Sequence, residues 1–494
     1  MTGRSRRPSV RDRGRDREPA TPAARLAEIK AMSEEGGTVD VDRLVRWLSD
    51  PDPLVRQGSA WVLGAKVERR GRAALEAALN DPSNRVRATA VESLGALRAP
   101  ESRIALELSL RDPDARVRSQ AAWAVWALDD SRSGAAMLPL AVDPDPAVRQ
   151  GAAAALGRLQ PKGAYERLTI LLSDVNDRVR RQAVYALGGF RSPRTASLVR
   201  PMLADPALRV RIAAAGILGR CRDVESVGPL LDRLRHDDAW MKPAILVALG
   251  QIGDRTALPE ITAAVDDPAG WSRVCALHAL RAMKDPTSRN AVRPKLHDPL
   301  WSVRGAAAEC LGAVGGPDDL ALLLETLEDL HPWPRRGAIY ALGALGLTEA
   351  APRIREELRH TDAEIRLAAV WALGRLRDDG AREAIAALLR QSHPARGERP
   401  TLAEGEGAVR LLSDAEDRLF DSAVQALGRL SQGEFDPVVA RALLEARSRV
   451  PDDELERLAR LPTPEQSVSG TPPTLRLVFE TALPAAVDED ELGC

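Results

Sequence analysis

Residues Asp81 to Leu97 read DPSNRVRATAVESLGAL, and this stretch decides the fold. Val86, Ala90, Val91, Leu94 and Leu97 recur at helical spacing and paint one apolar stripe along an α-helix. Asp81 followed by Pro82 is the expected helix start. A carboxylate there accepts amide hydrogens that lack intrahelical partners, and proline in the first turn gives up no hydrogen bond. Gly95 falls near the other end, where a missing side chain lets the next helix approach or lets the chain turn.

The stretch is one copy of many. Steps of 31 residues from Arg56 land on Arg87, Arg118, Arg149, Arg180, Arg211, Lys242, Arg273, Arg304, Arg335 and Arg366. Six residues upstream runs a second ladder, Asp50, Asp81, Asp112, Asp143, Asp174, Asp205, Asp267, Asp298 and Asp329. A third holds Gly64, Gly95, Gly157, Gly188, Gly219, Gly250, Gly312, Gly343 and Gly374. No insertion or deletion breaks the register between Arg56 and Arg366, which chance composition does not produce, so a stacked solenoid is expected. A shorter apolar-periodic stretch precedes each of these helices: Leu44, Val45, Trp47 and Leu48 in one copy, Leu75, Ala78 and Leu79 in the next. Each unit is therefore predicted to hold two antiparallel helices. Alanine runs such as Ala152 to Ala155 let neighbouring helices lie close. Twelve second helices are expected, the last centred on Phe420 after an insertion of 23 residues.

The pattern D-P-x-x-x-V-R-x-x-A-x-x-A-L-G resembles the HEAT repeat, in the short bacterial form named after phycobilisome lyases, over roughly residues 40–430. The resemblance implies an all-α protein, a right-handed α-solenoid (superhelix) of about twelve two-helix HEAT-like repeats, with the second helices lining a concave face. It also implies that the Asp and Arg ladders, from Asp50 and Arg56 to Asp329 and Arg335, pair between adjacent units as a structural spine. A spine is needed in every unit, whereas a site is needed once.

Departures from the pattern carry more information than agreements. In the seventh unit His236 and Lys242 replace Asp and Arg together, which predicts a local soft point. His360 replaces Asp in the eleventh unit, and Phe420 replaces Arg in the last, as a cap. The insertion at 391–407, QSHPARGERPTLAEGEG, is expected to project as a loop.

Composition narrows the setting. With 70 basic and 71 acidic side chains the net charge is −1, which leaves no global field to recruit nucleic acid or an anionic membrane. Four scattered cysteines, Cys221, Cys275, Cys310 and Cys494, lack CxxC spacing and read as reduced structural thiols. No apolar signal core and no membrane-length apolar run occur, so a cytoplasmic protein is expected. Residues 1–20 read as an Arg-rich tail, 21–447 as the repeat array, and 448–494 as a capping segment with an acidic tail. Within that tail the run LRLVFE, Leu475 to Glu480, is apolar and strand-prone.

The ladder also serves as a ruler. Five residues after the ladder Arg stand Trp61, Trp123, Tyr185, Tyr340 and Trp371; two before it stand Arg85, Arg116, Arg178, Arg209, Trp240, Trp271 and Trp333. These offsets differ by seven residues, two helical turns, so both sets are expected on one face of the second helix, away from the core stripe. Trp, Tyr and Arg are enriched in interaction hot spots, and the stripe is the candidate groove for a protein or peptide partner. The bland alternative is that the rings cover helix ends and neighbouring units.

Enzyme readings have less support. Deoxyhypusine hydroxylases resemble this architecture and hold two irons with His-Glu dipeptides, yet none of the six histidines here precedes Glu, and they read as lone surface or spine residues. HEAT-like DNA glycosylases use Trp, Arg and a carboxylate on a concave face, but a chain without a basic surplus is ill-suited to duplex. No nucleophile elbow, phosphate loop or metal cluster occurs, so no catalytic residue, metal or cofactor is expected. The leading expectation is a noncatalytic interaction scaffold. A lyase-like enzyme or enzyme subunit and a nucleic-acid binder are the alternatives.

Overall fold

The computed structural model describes residues 21–34, 37–190, 192–236 and 239–391. The expected N-terminal tail, the expected loop from 392 on, the expected last helix around Phe420, Cys494 and the 448–494 segment lie outside the described residues. No strand occurs among the described residues, and the fold is an all-α solenoid. The chain divides into two compact units, Met1–Cys310 and Leu311–Cys494.

In the first unit short helices alternate with long ones: Val41–Trp47 with Pro53–Ala65, Arg72–Ala78 with Asn84–Leu97, Arg103–Ser109 with Ala115–Leu128, and onward to Gly270–Met283. In the second unit Leu320–Thr326 pairs with Pro332–Leu345, and Ala351–Glu357 with Ala363–Leu376. A seven-residue helix is too short to persist alone in water, so the first helix of each pair depends on tertiary packing. The predicted stripe is the core: Val86, Ala90, Val91 and Leu94 are fully buried, and Leu75 beneath them is too.

Two local expectations are corrected. Asp81 does not cap its helix, because Asn84–Leu97 begins two residues later, with Ser83 at the cap position. Asp81 instead accepts the Ser83 amide across the turn at 2.8 Å, an Asx turn. Capping falls to the residue two places beyond the ladder, as where Asp114 accepts the amides of Arg116 and Val117 and Asn176 those of Arg178 and Val179.

The glycine ladder has one of its two expected roles. A Cβ on Gly95 would stand 2.9 Å from Ala124 Cβ and 3.0 Å from its Cα, so the missing side chain admits the next second helix. The chain turns three residues further on, where Arg98, Asp129, Arg222 and Lys284 take left-handed φ of 45–58°. Non-glycine residues at that conformation mark the turn as held by its surroundings.

Candidate functional site

The ladder arginine does more than pair. Arg87 Nε and Nη2 donate to the two carboxylate oxygens of Asp112, at 2.8 and 2.9 Å, in the next repeat. Its Nη1 turns back to its own repeat and donates to the carbonyls of Asp81 and Pro82, at 2.9 and 3.3 Å. One guanidinium thus ties two inter-helix turns together. The same fork joins Arg56 to Asp81, Arg118 to Asp143, Arg149 to Asp174, and Arg180 to Asp205. Burial disfavours the charged carboxylates, but the guanidinium hydrogen bonds, the turn amide and the nearby positive charge outweigh it. Asp81, Asp112, Asp143, Asp174 and Asp205 are held below the usual carboxylate range. Hydrogen bonding to the aspartate raises Arg87 in turn, against its own partial burial.

The ladder starts one repeat earlier than the sequence reading placed it. Arg25, 31 residues before Arg56, pairs with Asp50 at 2.8 Å from the helix Pro22–Ser33. Arg273 reaches Asp298 at 2.9 Å. Arg304 and Asp329 stand at their ladder positions, the former inside Trp301–Val314.

The expected double loss in the seventh repeat is half a loss. Lys242 keeps its downstream ion pair, to Asp267 at 2.7 Å. Upstream, His236 stands at the ladder position in place of Asp and its Nδ1 faces Asp232, while Arg211 still grips its own turn through the Asp205 and Pro206 carbonyls, at 3.0 and 3.1 Å.

His360 stands in for the missing aspartate of the eleventh repeat, and imperfectly. Its Nδ1 accepts the Asp362 amide at 3.0 Å, while its Nε2 faces Arg335 Nη1 at 3.1 Å. Both neighbours are donors, and a neutral imidazole offers one acceptor nitrogen. Replacing His360 by Asp restores the fork and the turn acceptor together. The variant is expected to be more stable by about 0.5–2 kcal/mol, measured by thermal unfolding; an unchanged or lowered midpoint would contradict this account of the position.

The stripe residues occupy the side of the second helix opposite the core. Arg85, Arg116, Arg178 and Arg209 are exposed, as are Trp61, Tyr185 and Trp271; Trp123, Trp333, Tyr340 and Trp371 are half-buried. Some of these rings also pack sideways. Trp371 meets Tyr340 of the preceding repeat edge-on at 5.1 Å, and Trp123 meets Trp126 at 5.9 Å.

Trp240 departs from the expected face. Its helix, Lys242–Ile252, starts three residues late relative to its neighbours, so Trp240 lies in the turn before it and is 78 % exposed. The cause is Pro243. It lacks an amide hydrogen and its ring clashes with a carbonyl four residues back, so the helix can begin no earlier than keeps Pro243 in the first turn.

Several stripe residues went unread in the sequence. The glycine ladder skips positions 126 and 281, and those gaps are the signal. Trp126 fills the first, with the Arg158 guanidinium 4.9 Å above its ring and Asp129 holding Arg158 at 2.6 Å. Arg281 fills the second and pairs with Glu309 at 2.7 Å. Beside them His278 is neither the surface nor the spine residue expected: its Nε2 is buried without a hydrogen-bond partner among the described residues. Burial holds His278 below the usual imidazole range, against the pull of Glu309. Burial also pushes the Cys275 and Cys310 thiols up to about 12, which keeps them protonated and unreactive. Trp301, 44 % exposed, opens the ninth second helix one residue before the register position of Trp271 and was not singled out.

Away from the stripe, an open cavity of about 400 Å³ lies between Arg194–Val199 and Val227–His236, lined by Arg200, Pro201, Pro229 and Asp232. Arg200 there is committed to Asp223 and Glu225, both at 2.8 Å. Among the described residues no group of three or more His, Cys, Asp or Glu is placed to hold a metal ion. No described helix is long and apolar enough to cross a membrane.

Comparison with solved structures finds YibA from E. coli, 22% identical, with 55% of this chain and 99% of YibA covered at a TM-score of 0.41. The complex of CpcE and CpcF of phycocyanin lyase from Nostoc is 22% identical, with 51% and 96% covered at 0.33. Yeast importin-β is 14% identical, with 88% and 67% covered at 0.52, a likeness of fold. Comparison with curated proteins finds no match. The family model described as HEAT repeats matches residues 41–126, 104–188, 134–215, 165–245, 200–274, 263–333 and 320–399. These overlapping matches take in well over half of the sequence, and the chain belongs to the HEAT-repeat family.

Proposed function

We propose that this HEAT-repeat chain is a noncatalytic interaction scaffold in the cytoplasm, holding a protein or peptide segment along the Trp, Tyr and Arg stripe of its second helices. One observation carries the reading. Large rings stand in water on the stripe side of the second helices, Trp61 at 48 %, Tyr185 at 37 % and Trp271 at 45 % exposure, with Trp240 at 78 % in the turn before its helix, in a fold that has buried its aliphatic stripe. Exposed aromatics in register, rimmed by arginine, are the composition of a binding surface.

The test is a crosslinking pull-down from the native cell with the full chain and with a Trp240→Ala/Trp271→Ala variant. Neither ring is in the buried stripe, so the variant is expected to keep its helical circular dichroism. Its yield of the captured partner is expected to fall at least tenfold, the scale of one hot-spot residue. Undiminished capture would sink the groove assignment.

A further inference from the structure

We infer that the bound segment is an extended acidic peptide where it crosses the second to sixth repeats; this rests on the scaffold reading and names the chemistry of its partner. Arg85, Arg116, Arg178 and Arg209 each stand second in their helices, Asn84–Leu97, Ala115–Leu128, Asp177–Leu187 and Leu208–Cys221. All four are exposed, and none forms an ion pair among the described residues. The contrast with the spine is sharp, because the ladder arginines of the same repeats are forked onto aspartates or onto turn carbonyls.

These four charges are also badly placed for folding. The first turn of a helix carries the positive end of its dipole and favours anions, so an arginine there opposes the local field. Compensation nearby is thin. Asp114 is committed to the Arg116 and Val117 amides and to Asn84, Asp145 to the Ala147 and Val148 amides, and Asp129 to Arg158. Asp177, beside Arg178, and the exposed Glu92 are the carboxylates that remain on this face, against the further cations Arg181 and Arg220. In a chain of net charge −1 this is a local surplus of positive charge with no structural use. A carboxylate partner supplies what the fold omits.

The spacing favours a peptide over nucleic acid. Packed helices lie roughly 8–10 Å apart, so the neighbouring pairs Arg85 and Arg116, and Arg178 and Arg209, each meet side chains about three residues apart on an extended segment rising ~3.3 Å per residue, with a gap at Ala147 in the fourth repeat. A duplex presents a charge every ~1.7 Å, far denser than one guanidinium per repeat. The planar guanidinium also matches a carboxylate with two parallel hydrogen bonds. Beyond Arg209 the register position is held by Trp240, displaced into the turn before its helix, and then by Trp271 on the helix face, so the acidic stretch gives way to apolar or aromatic side chains toward Trp271.

The test uses the full chain and three fluorescein-labelled probes of about twenty units: a peptide with one Glu-rich half and one half carrying Leu and Phe, the same peptide with Lys for Glu, and a single-stranded oligonucleotide. The Glu peptide is expected to bind most tightly by anisotropy and to weaken as salt is raised. Arg85→Gln, Arg116→Gln, Arg178→Gln and Arg209→Gln together should weaken it at least tenfold while leaving the thermal midpoint unchanged or raised. Equal binding of the Lys peptide, tighter binding of the oligonucleotide, or indifference to the quadruple variant would each overturn the acidic assignment. None of those outcomes touches the scaffold reading, which stands or falls on capture by the Trp240→Ala/Trp271→Ala variant.

Discussion

Replacing Asp174 by Ala is expected to lower the stability of the first compact unit by about 3–5 kcal/mol, the range for stranding one partner of a buried ion pair. Asp174 takes both fork bonds from Arg149, at 2.6 and 2.8 Å, and accepts the Asn176 amide at 2.9 Å. The two side chains are 12% and 7% exposed, so water cannot fully replace what the alanine removes. Asp174→Asn keeps an acceptor for the turn and should fall between the two. The double variant Arg149→Met/Asp174→Leu should recover part of the loss, because it strands no charge. Urea unfolding measures the sizes, and hydrogen exchange locates the damage, which should centre on the helices Pro146–Leu159 and Asp177–Leu187. A loss below 1 kcal/mol for Asp174→Ala would contradict the spine account. Because the folded carboxylates titrate below their unfolded values, their contribution is fully present above an unfolded pKa of ~3.9 and is lost as pH falls through the lowered folded values.

The second large effect is at glycine. Gly157→Ala is expected to cost about 1–3 kcal/mol, although alanine is the better helix former by about 1 kcal/mol. The sign is set by the neighbour: a Cβ at 157 would stand 2.6 Å from Ala186 Cβ and 2.7 Å from Ala186 Cα, and backbone cannot step aside as a flexible side chain can. Gly216 supplies the control. It lies within the helix Leu208–Cys221 with nothing within 4 Å of an added Cβ, so Gly216→Ala should gain about 0.5–1 kcal/mol. Thermal unfolding of both variants tests the pair, and a shift of the same sign in both would refute the close-approach explanation.

Period, helix pairing and the core stripe were legible in the sequence because each is repeated. Val86, Val117, Val148, Val179 and Val210 share one register position, and all are buried. What escaped was set once, by a local competitor. The cap position slipped by two residues because an Asp-Pro dipeptide reads as a helix start, whereas the ladder aspartate is occupied by the preceding repeat's arginine and by its own turn. Trp240 left the shared face because Pro243, invisible to the ladder, delays one helix. The Arg281–Glu309 pair and Trp126 were hidden in gaps of the glycine ladder, where absence was the signal. The stripe residues were legible as a pattern of offsets. Their exposure was not, since the same spacing suits rings that cover a neighbour, as Trp371 does Tyr340.

The spine bond always spans 25 residues, from Arg56 to Asp81 or from Arg180 to Asp205, inside a period of 31. A chain cut at the same phase in two repeats and rejoined keeps such bonds wherever the downstream repeat carries its ladder aspartate, as those other than the seventh and eleventh do. Arrays of this kind can lengthen or shorten by whole repeats through unequal recombination without any new interface having to be invented. The stripe then changes at its two register positions with each added repeat, which under the proposed scaffold reading makes partner choice editable one repeat at a time.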